Sequence, residues 1–273
     1  MSGNGTILLF FGVFMLMNVL HDPTLYAGDS AGNSITIVYN NVPGDTTAAV
    51  QVGGGFSAFI TFNQKKILFD TGGDTTILIN NMGPLGITLE KLDAVVISHN
   101  HWDHIYGLPA LYYLAETVPK VYVPVSSRDP VLQQNPRLDI VPVDEPVEIL
   151  PNVWSSGVME TSYRNITLHE QSLILDGDRG LYVITGCAHP GIVAIIEHVR
   201  KVFPGSPIAL ITGGFHLVGA TEQEIRGISS KLKMLGVKNI APSHCTGSLA
   251  MDIFRKEWGE NYLELYLGHT YKF

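Results

Sequence analysis

Short apolar runs separated by Gly, Pro, Asn and Asp set the pattern of this chain. Residues 35–40, 56–62 and 66–69, rich in Ile, Val and Phe, predict three strands. Gly53-Gly54-Gly55 reads as a turn between the first two; lacking a following Lys and Ser/Thr pair, it is not a phosphate loop. Asp74, ahead of Thr75 and Thr76, predicts the cap of a short helix ending before Gly83-Pro84. Residues 92–98, LDAVVIS, predict a buried strand, followed by a helix over 107–116 and a strand over 120–123. Residues 125–158, rich in Pro and short β-like pieces, are expected to wander over the surface. Beyond them the pattern predicts strands at 171–175 and 181–185 around the turn Asp176-Gly177-Asp178. A helix is then predicted over 192–203, stopped by Pro204-Gly205, then a strand at 208–211 and a helix over 222–235 closed by Gly236. Strands that first follow one another and later alternate with helices predict an α/β (α+β) domain, two mixed sheets with helices packed outside.

Residues 6–20, TILLFFGVFMLMNVL, stand apart as an apolar run too short for a membrane span and of the length of a signal-peptide core. Ala27 offers a cleavage point, so residues 1–27 are expected to direct export, to the periplasm or outside the cell, and 28–273 to form one domain. The membrane is a partner only if the segment stays uncleaved. The first Lys or Arg of the chain is Lys65, so the usual positive flank is missing. A buried extension, a partner-binding helix, a misplaced start and a cytoplasmic protein are the alternatives.

Composition changes the picture in two ways. A chain of 273 residues with 45% hydrophobic positions can bury a sizeable core and is not disordered. With 17 Lys and Arg against 25 Asp and Glu, its net charge of −8 speaks against nucleic acid as a partner and for a small-molecule substrate.

The candidate chemistry lies in the ten histidines. His99, His101 and His104 crowd with Asp103 into SHNHWDHIYGL, directly after the strand LDAVVIS. A loop leaving a strand end brings side chains to one point from a rigid support. Imidazoles two apart on extended chain reach one ion, and Asp103 and His104 face a second. Imidazole and carboxylate suit Zn²⁺, with Mn²⁺ or Fe as substitutes. His189 (VITGCAHPG), His216 (ITGGFHL) and His244 (APSHCTG) share this setting, a strand end beside small residues. His21, His198 and His269 do not, and His198 is expected to be solvated on a helix face. Cys187 and Cys245 fall inside the same set, as metal ligands, as buried small hydrophobes, or as one disulfide in an exported protein.

His99-Asn100-His101-Trp102-Asp103-His104, with Phe69-Asp70-Thr71-Gly72 upstream, is similar to the signature of the metallo-β-lactamase superfamily. GCAHPG, TGGFHL and SHCTG resemble the branch around 7,8-dihydropterin-6-yl-methyl-4-(β-D-ribofuranosyl)aminobenzene-5′-phosphate synthase. The resemblance implies a four-layer αββα sandwich with a metal site along one edge of the sheets, from about residue 35 to the C-terminus. It implies two divalent ions: His99, His101 and His189 on the first, Asp103, His104 and His244 on the second, and Cys187 in the bridging position. Asp70 would orient a ligand histidine. Asp103 and His216 are the candidate catalytic groups, His216 as hydrogen-bond donor or general acid, with a structural role for its loop as the alternative.

There are departures. Cys187 stands where most superfamily hydrolases carry a bridging Asp. TLHEQS at 167–172 stands where they carry a histidine segment, so His169 competes with His189 for a ligand position. Ile105-Tyr106 replaces small residues and narrows the cleft. The implied activity is that of a hydrolase or transferase, acting on a small phosphate- or ester-bearing substrate or joining a pterin to an aminobenzene ribotide 5′-phosphate. A metal-holding sensor or binding module on the same fold is the alternative.

Overall fold

The computed structural model describes Met1 and residues 32–273; the apolar run at 6–20, Ala27 and His21 lie outside the described residues. Six strands come first: β1 (Ser34–Asn40), β2 (Phe56–Phe62), β3 (Lys65–Phe69), β4 (Ala94–Val96), β5 (Lys120–Pro124) and β6 (Asp139–Val143). They are followed by β7 (Val147–Leu150), β8 (Val153–Ser155), β9 (Met159–Tyr163), β10 (Ile166–Glu170), β11 (Leu173–Gly177), β12 (Gly180–Thr185), β13 (Ile208–Gly214), β14 (Val237–Ser243) and β15 (Thr270–Lys272). The first sheet runs β15-β1-β2-β3-β4-β5-β6 and the second β14-β13-β12-β11-β8-β7; β9 and β10 pair only with each other. Strands β3 to β6 are mutually parallel, as are β12, β13 and β14.

Among the described residues seven α-helices flank the sheets: α1 (Thr75–Met82), α2 (Trp102–Ile105), α3 (Leu111–Leu114), α4 (Arg128–Gln134), α5 (Ile192–Val202), α6 (Glu222–Met234) and α7 (Ser248–Trp258). Three apolar clusters make four layers. Phe56, Ile67 and Val96 of the first sheet meet Leu173, Tyr182 and Ile184 of the second between the sheets. Leu68, Val95 and Val121 face outward onto Leu78 and Met82 of α1, while Val183, Ile211 and Ile240 face Ile195, Ile225 and Phe254 of α5 to α7. Strands covered on both faces read as unbroken apolar runs, which is why LDAVVIS shows no alternation. This is the four-layer αββα sandwich.

Some boundaries differ from the pattern. The helix expected over 107–116 is a 3₁₀ turn, Leu108–Ala110, followed by the single turn of α3, which stops where Ala115 takes an extended conformation (φ −88°, ψ 132°). Residues 125–158 do not wander: they form α4 and the strands β6, β7 and β8, carrying the chain from one sheet to the other. β6 and β7 are edge strands, and Pro142 is tolerated in β6 because an edge leaves its missing donor unneeded. The strand expected at 171–175 begins two residues later. Gln171 instead turns its amide to the carbonyls of Ile97 (2.8 Å) and Tyr122 (3.2 Å), tying the second sheet to the first. His198 is not solvated; it hydrogen-bonds the Ser156 carbonyl at 2.8 Å.

Candidate metal centre

The C-terminal ends of five parallel strands converge on one edge of the sandwich. Asp70 follows β3; His99, His101, Asp103 and His104 follow β4; Cys187 and His189 follow β12; His216 follows β13; His244 and Cys245 follow β14. At these ends Asp70, Ala188, His216 and His244 all hold the left-handed backbone conformation (φ 55°, 60°, 51° and 52°). Non-glycine residues are held there only where the surroundings over-determine them, and such strain gathers at functional sites. Gly186 marks the contact of the two sheets, for a Cβ there would run into Ser98 Oγ and lie 3.0 Å from Asp70 Oδ2.

Four imidazoles have their outer nitrogen held by a protein acceptor. His104 Nδ1 donates to Asp70 Oδ2 (2.7 Å), and His99 Nδ1 donates to Ser98 Oγ (2.8 Å), whose hydroxyl donates to the same Asp70 oxygen (2.7 Å). The Ser98 amide binds the other Asp70 oxygen at 2.7 Å, so one buried carboxylate orients two histidines. His189 Nδ1 donates to Glu170 Oε2 (2.8 Å) and His244 Nδ1 to Asn41 Oδ1 (2.7 Å). With Nδ1 held by its acceptor, each Nε2 faces inward.

Inside, the donor atoms lie close together. His99 Nε2 is 3.0 Å from His101 Nδ1, and Cys187 Sγ is 3.2 Å from His104 Nε2 and 3.4 Å from His244 Nε2. Asp103 Oδ2 lies 3.5 Å from His244 Nε2 and 3.7 Å from His104 Nε2. The donors of Asp103, His104, Cys187 and His244 lie within 4.8 Å of one another, and so do those of His99, Cys187 and His189. Cys187 is common to both groups. By donor chemistry the two sets suit divalent ions: a carboxylate, a thiol, and imidazoles of which His99, His104, His189 and His244 are anchored from behind. A third group, Cys187, His216 and Cys245, adjoins them, and both cysteines are free thiols.

Electrostatics follow from the crowding. Burial and then the neighbouring imidazoles push His99 well down, and push His101 down to about 4. Burial opposes charge on His104 as well, but the Asp70 carboxylate outweighs it and lifts the group to about 9. Asp103 stays far below the usual carboxylate range, since the hydrogen bond from His244 and the charge of His104 overcome its burial. The hydrogen bond with Cys245, then burial, push the Cys187 thiol well up. His216 is exposed beside His189, ring centroids 4.4 Å apart, and its contact with Cys245 raises it.

Glu170 is the participant that sequence reasoning passed over. It is buried, and it accepts from the amides of Cys187 (3.0 Å), Ala188 (2.7 Å) and His189 (2.9 Å) as well as from the His189 ring. Of TLHEQS it is therefore Glu170 that reaches the cluster, while His169 pairs with Glu160 at 3.3 Å. Ser98 and Asn41 were passed over too. The signal available was weak: a charged residue ending an otherwise apolar-alternating strand.

The metallo-beta-lactamase superfamily model matches residues 50–203, more than half of the chain. The chain belongs to the metallo-β-lactamase superfamily. Among curated relatives of this superfamily member, 7,8-dihydropterin-6-methyl-4-(beta-D-ribofuranosyl)-aminobenzene-5'-phosphate synthase of Methanocaldococcus jannaschii is 27% identical, over 77% of this chain and 85% of its own. An uncharacterized protein of the same organism is 30% identical over 72% of this chain and 85% of its own. A solved metal-dependent hydrolase of the beta-lactamase superfamily superposes with a TM-score of 0.72 at 27% identity, covering 88% of this chain and 99% of that one.

Proposed function

We propose that this superfamily member is an enzyme that holds two divalent ions, zinc in the first instance, and acts on a small phosphate- or ester-bearing substrate. One observation carries the reading: inward-facing donors in two groups share Cys187, and His99, His104, His189 and His244 are each locked from behind by a protein acceptor. His99, His101 and His189 would hold one ion, Asp103, His104 and His244 the other, with the Cys187 sulfur between them. Bound there, the ions supply charge for polarising a phosphoryl or carbonyl oxygen and for acidifying water. Asp70 and Glu170 hold the ligand rings in place. Asp103 keeps its negative charge throughout the working pH range, and the exposed His216 delivers a proton to the departing group at the open side. The net charge of −8 supports a small substrate over a polyanion.

A second reading, transfer of a pterin to an aminobenzene ribotide 5′-phosphate, is favoured by the 27% identical synthase. It uses the same residues to bind the leaving group instead of water. Metal content per chain, measured by mass spectrometry on the full chain and on His101→Ala and Cys187→Ala, tests the centre. About two ions in the wild type, fewer in both variants, are expected for closed ligand sets. An unchanged count in Cys187→Ala removes the shared ligand. A panel of phosphoesters and lactones, run beside a pterin condensation assay, then separates the two readings.

A further inference from the structure

The β9–β10 hairpin pairs with neither sheet, yet it meets the donor cluster at both ends. Its root supplies Glu170. Its tip lays the Tyr163 ring against His189, His101 and His216, with centroids 4.7, 5.1 and 5.4 Å away. Arg164 and Asn165 make the turn in left-handed conformations (φ 51° and 62°), the two-residue connection whose twist matches a hairpin. The exposed Arg164 guanidinium lies over the Tyr163 ring, 5.2 Å from its centroid, so one aromatic ring separates it from the imidazoles.

Among the described residues the exposed arginines divide: Arg128, Arg226 and Arg255 are ion-paired, whereas Arg137, Arg164 and Arg179 are not. Of these three, Arg164 is set apart by its seat, a tyrosine ring that itself touches His101 and His189. Arg226 is paired with Glu222 and Glu257, and Arg255 with Asp252 and Glu264. Arg164 makes no ion pair among the described residues. A guanidinium left without a counter-charge, with one face against an aromatic ring, presents its fork of N–H donors at the mouth of the site. That fork matches phosphate oxygens in a bidentate contact. The ring beneath it holds the group in place and lowers the entropy lost on binding.

We propose that Arg164, seated on Tyr163, is the subsite for a phosphate group of the substrate, on the His101–His189 side of the cluster. The inference rests on the proposed metal-dependent centre and narrows its substrate class to molecules that carry phosphate. Binding of inorganic pyrophosphate to the metal-loaded full chain, followed by calorimetry at fixed salt, tests it. Arg164→Gln is expected to weaken binding about 10- to 100-fold, the worth of a charged hydrogen-bonding contact, with metal content unchanged. Arg164→Lys should recover part of the loss, and Tyr163→Leu should cost about two- to fivefold. Equal affinity in Arg164→Gln, or no pyrophosphate bound by a wild type that carries its metal, overturns the subsite. The centre itself is judged separately, by metal content and by turnover of the ester panel.

Discussion

Two buried carboxylates, Asp70 and Glu170, do the positioning at the scale of single residues, while burial, the crowded imidazoles and, for His104, the Asp70 charge decide which donors keep a proton. His101, held down to about 4, and His99, pushed lower than the ordinary imidazole value, enter the metal-free site already neutral at pH 7.5. Cys187, pushed well up, and His104, lifted to about 9, instead enter it still carrying a proton that a metal ion has to displace. Zinc binding must therefore expel protons from Cys187 and His104 and almost none from His99 and His101. Zinc titrations in buffers of different ionisation heat should show this release at pH 7.5, with Cys187→Ser releasing about one proton fewer. Identical release by the variant would remove Cys187 from the ligand set. The histidines and Asp103 were legible in the sequence because polar side chains directly after an apolar strand have few other reasons to be there. Ser98, Asn41 and Glu170 were not, since Ser, Asn and Glu are ordinary loop and strand-end residues until their partners are known.

Among elements, the hairpin of β9 and β10 matters most. Glu170 accepts three backbone amides and one ring nitrogen, so it shapes the Cys187–His189 turn as much as it holds a ligand. Glu170→Ala leaves those buried donors without an acceptor, each costing about 1–3 kcal/mol. Thermal denaturation should show a loss of several kcal/mol, together with weakened metal binding; a Tm within a degree of wild type would refute this role. The strands and helices that were read correctly, such as α6 behind its Thr221–Glu224 capping box, carry their signals locally. Residues 125–158 were misread because edge strands accept Pro and expose one side. Their apolar density is therefore low, and their order comes from neighbours far away in sequence.

For the whole molecule, the decisive fact is that neither sheet owns the centre. Asp70 and the HNHWDH segment come from the first, Cys187, His189, His216 and His244 from the second, and Gly186 lets the two touch. Ions bound across this seam join the sheets, so chelation should lower the stability of the folded chain. With metal at about a thousand times its Kd, the linkage is worth about 4 kcal/mol, or roughly 10 °C in Tm. The chelated protein should also lose stability as pH falls from the ordinary imidazole value of 6.5 toward the His101 value of about 4. In that window the unfolded chain takes up protons that the folded one refuses. Scanning calorimetry with and without chelator, across pH 4 to 8, would detect both; a Tm indifferent to chelator would mean the seam is closed by packing alone.

The hairpin that reaches this seam has unequal freedom along its length. Its base is locked in register by Glu170, whereas its tip is a two-residue turn bonded to neither sheet. Residues inserted between Arg164 and Asn165 would lengthen the reach of the guanidinium without disturbing a single donor below. With the proposed phosphate subsite on that tip, substrate size and metal chemistry would be separable by inheritance: a change in the length of one turn would re-aim the subsite and leave the donor cluster to itself.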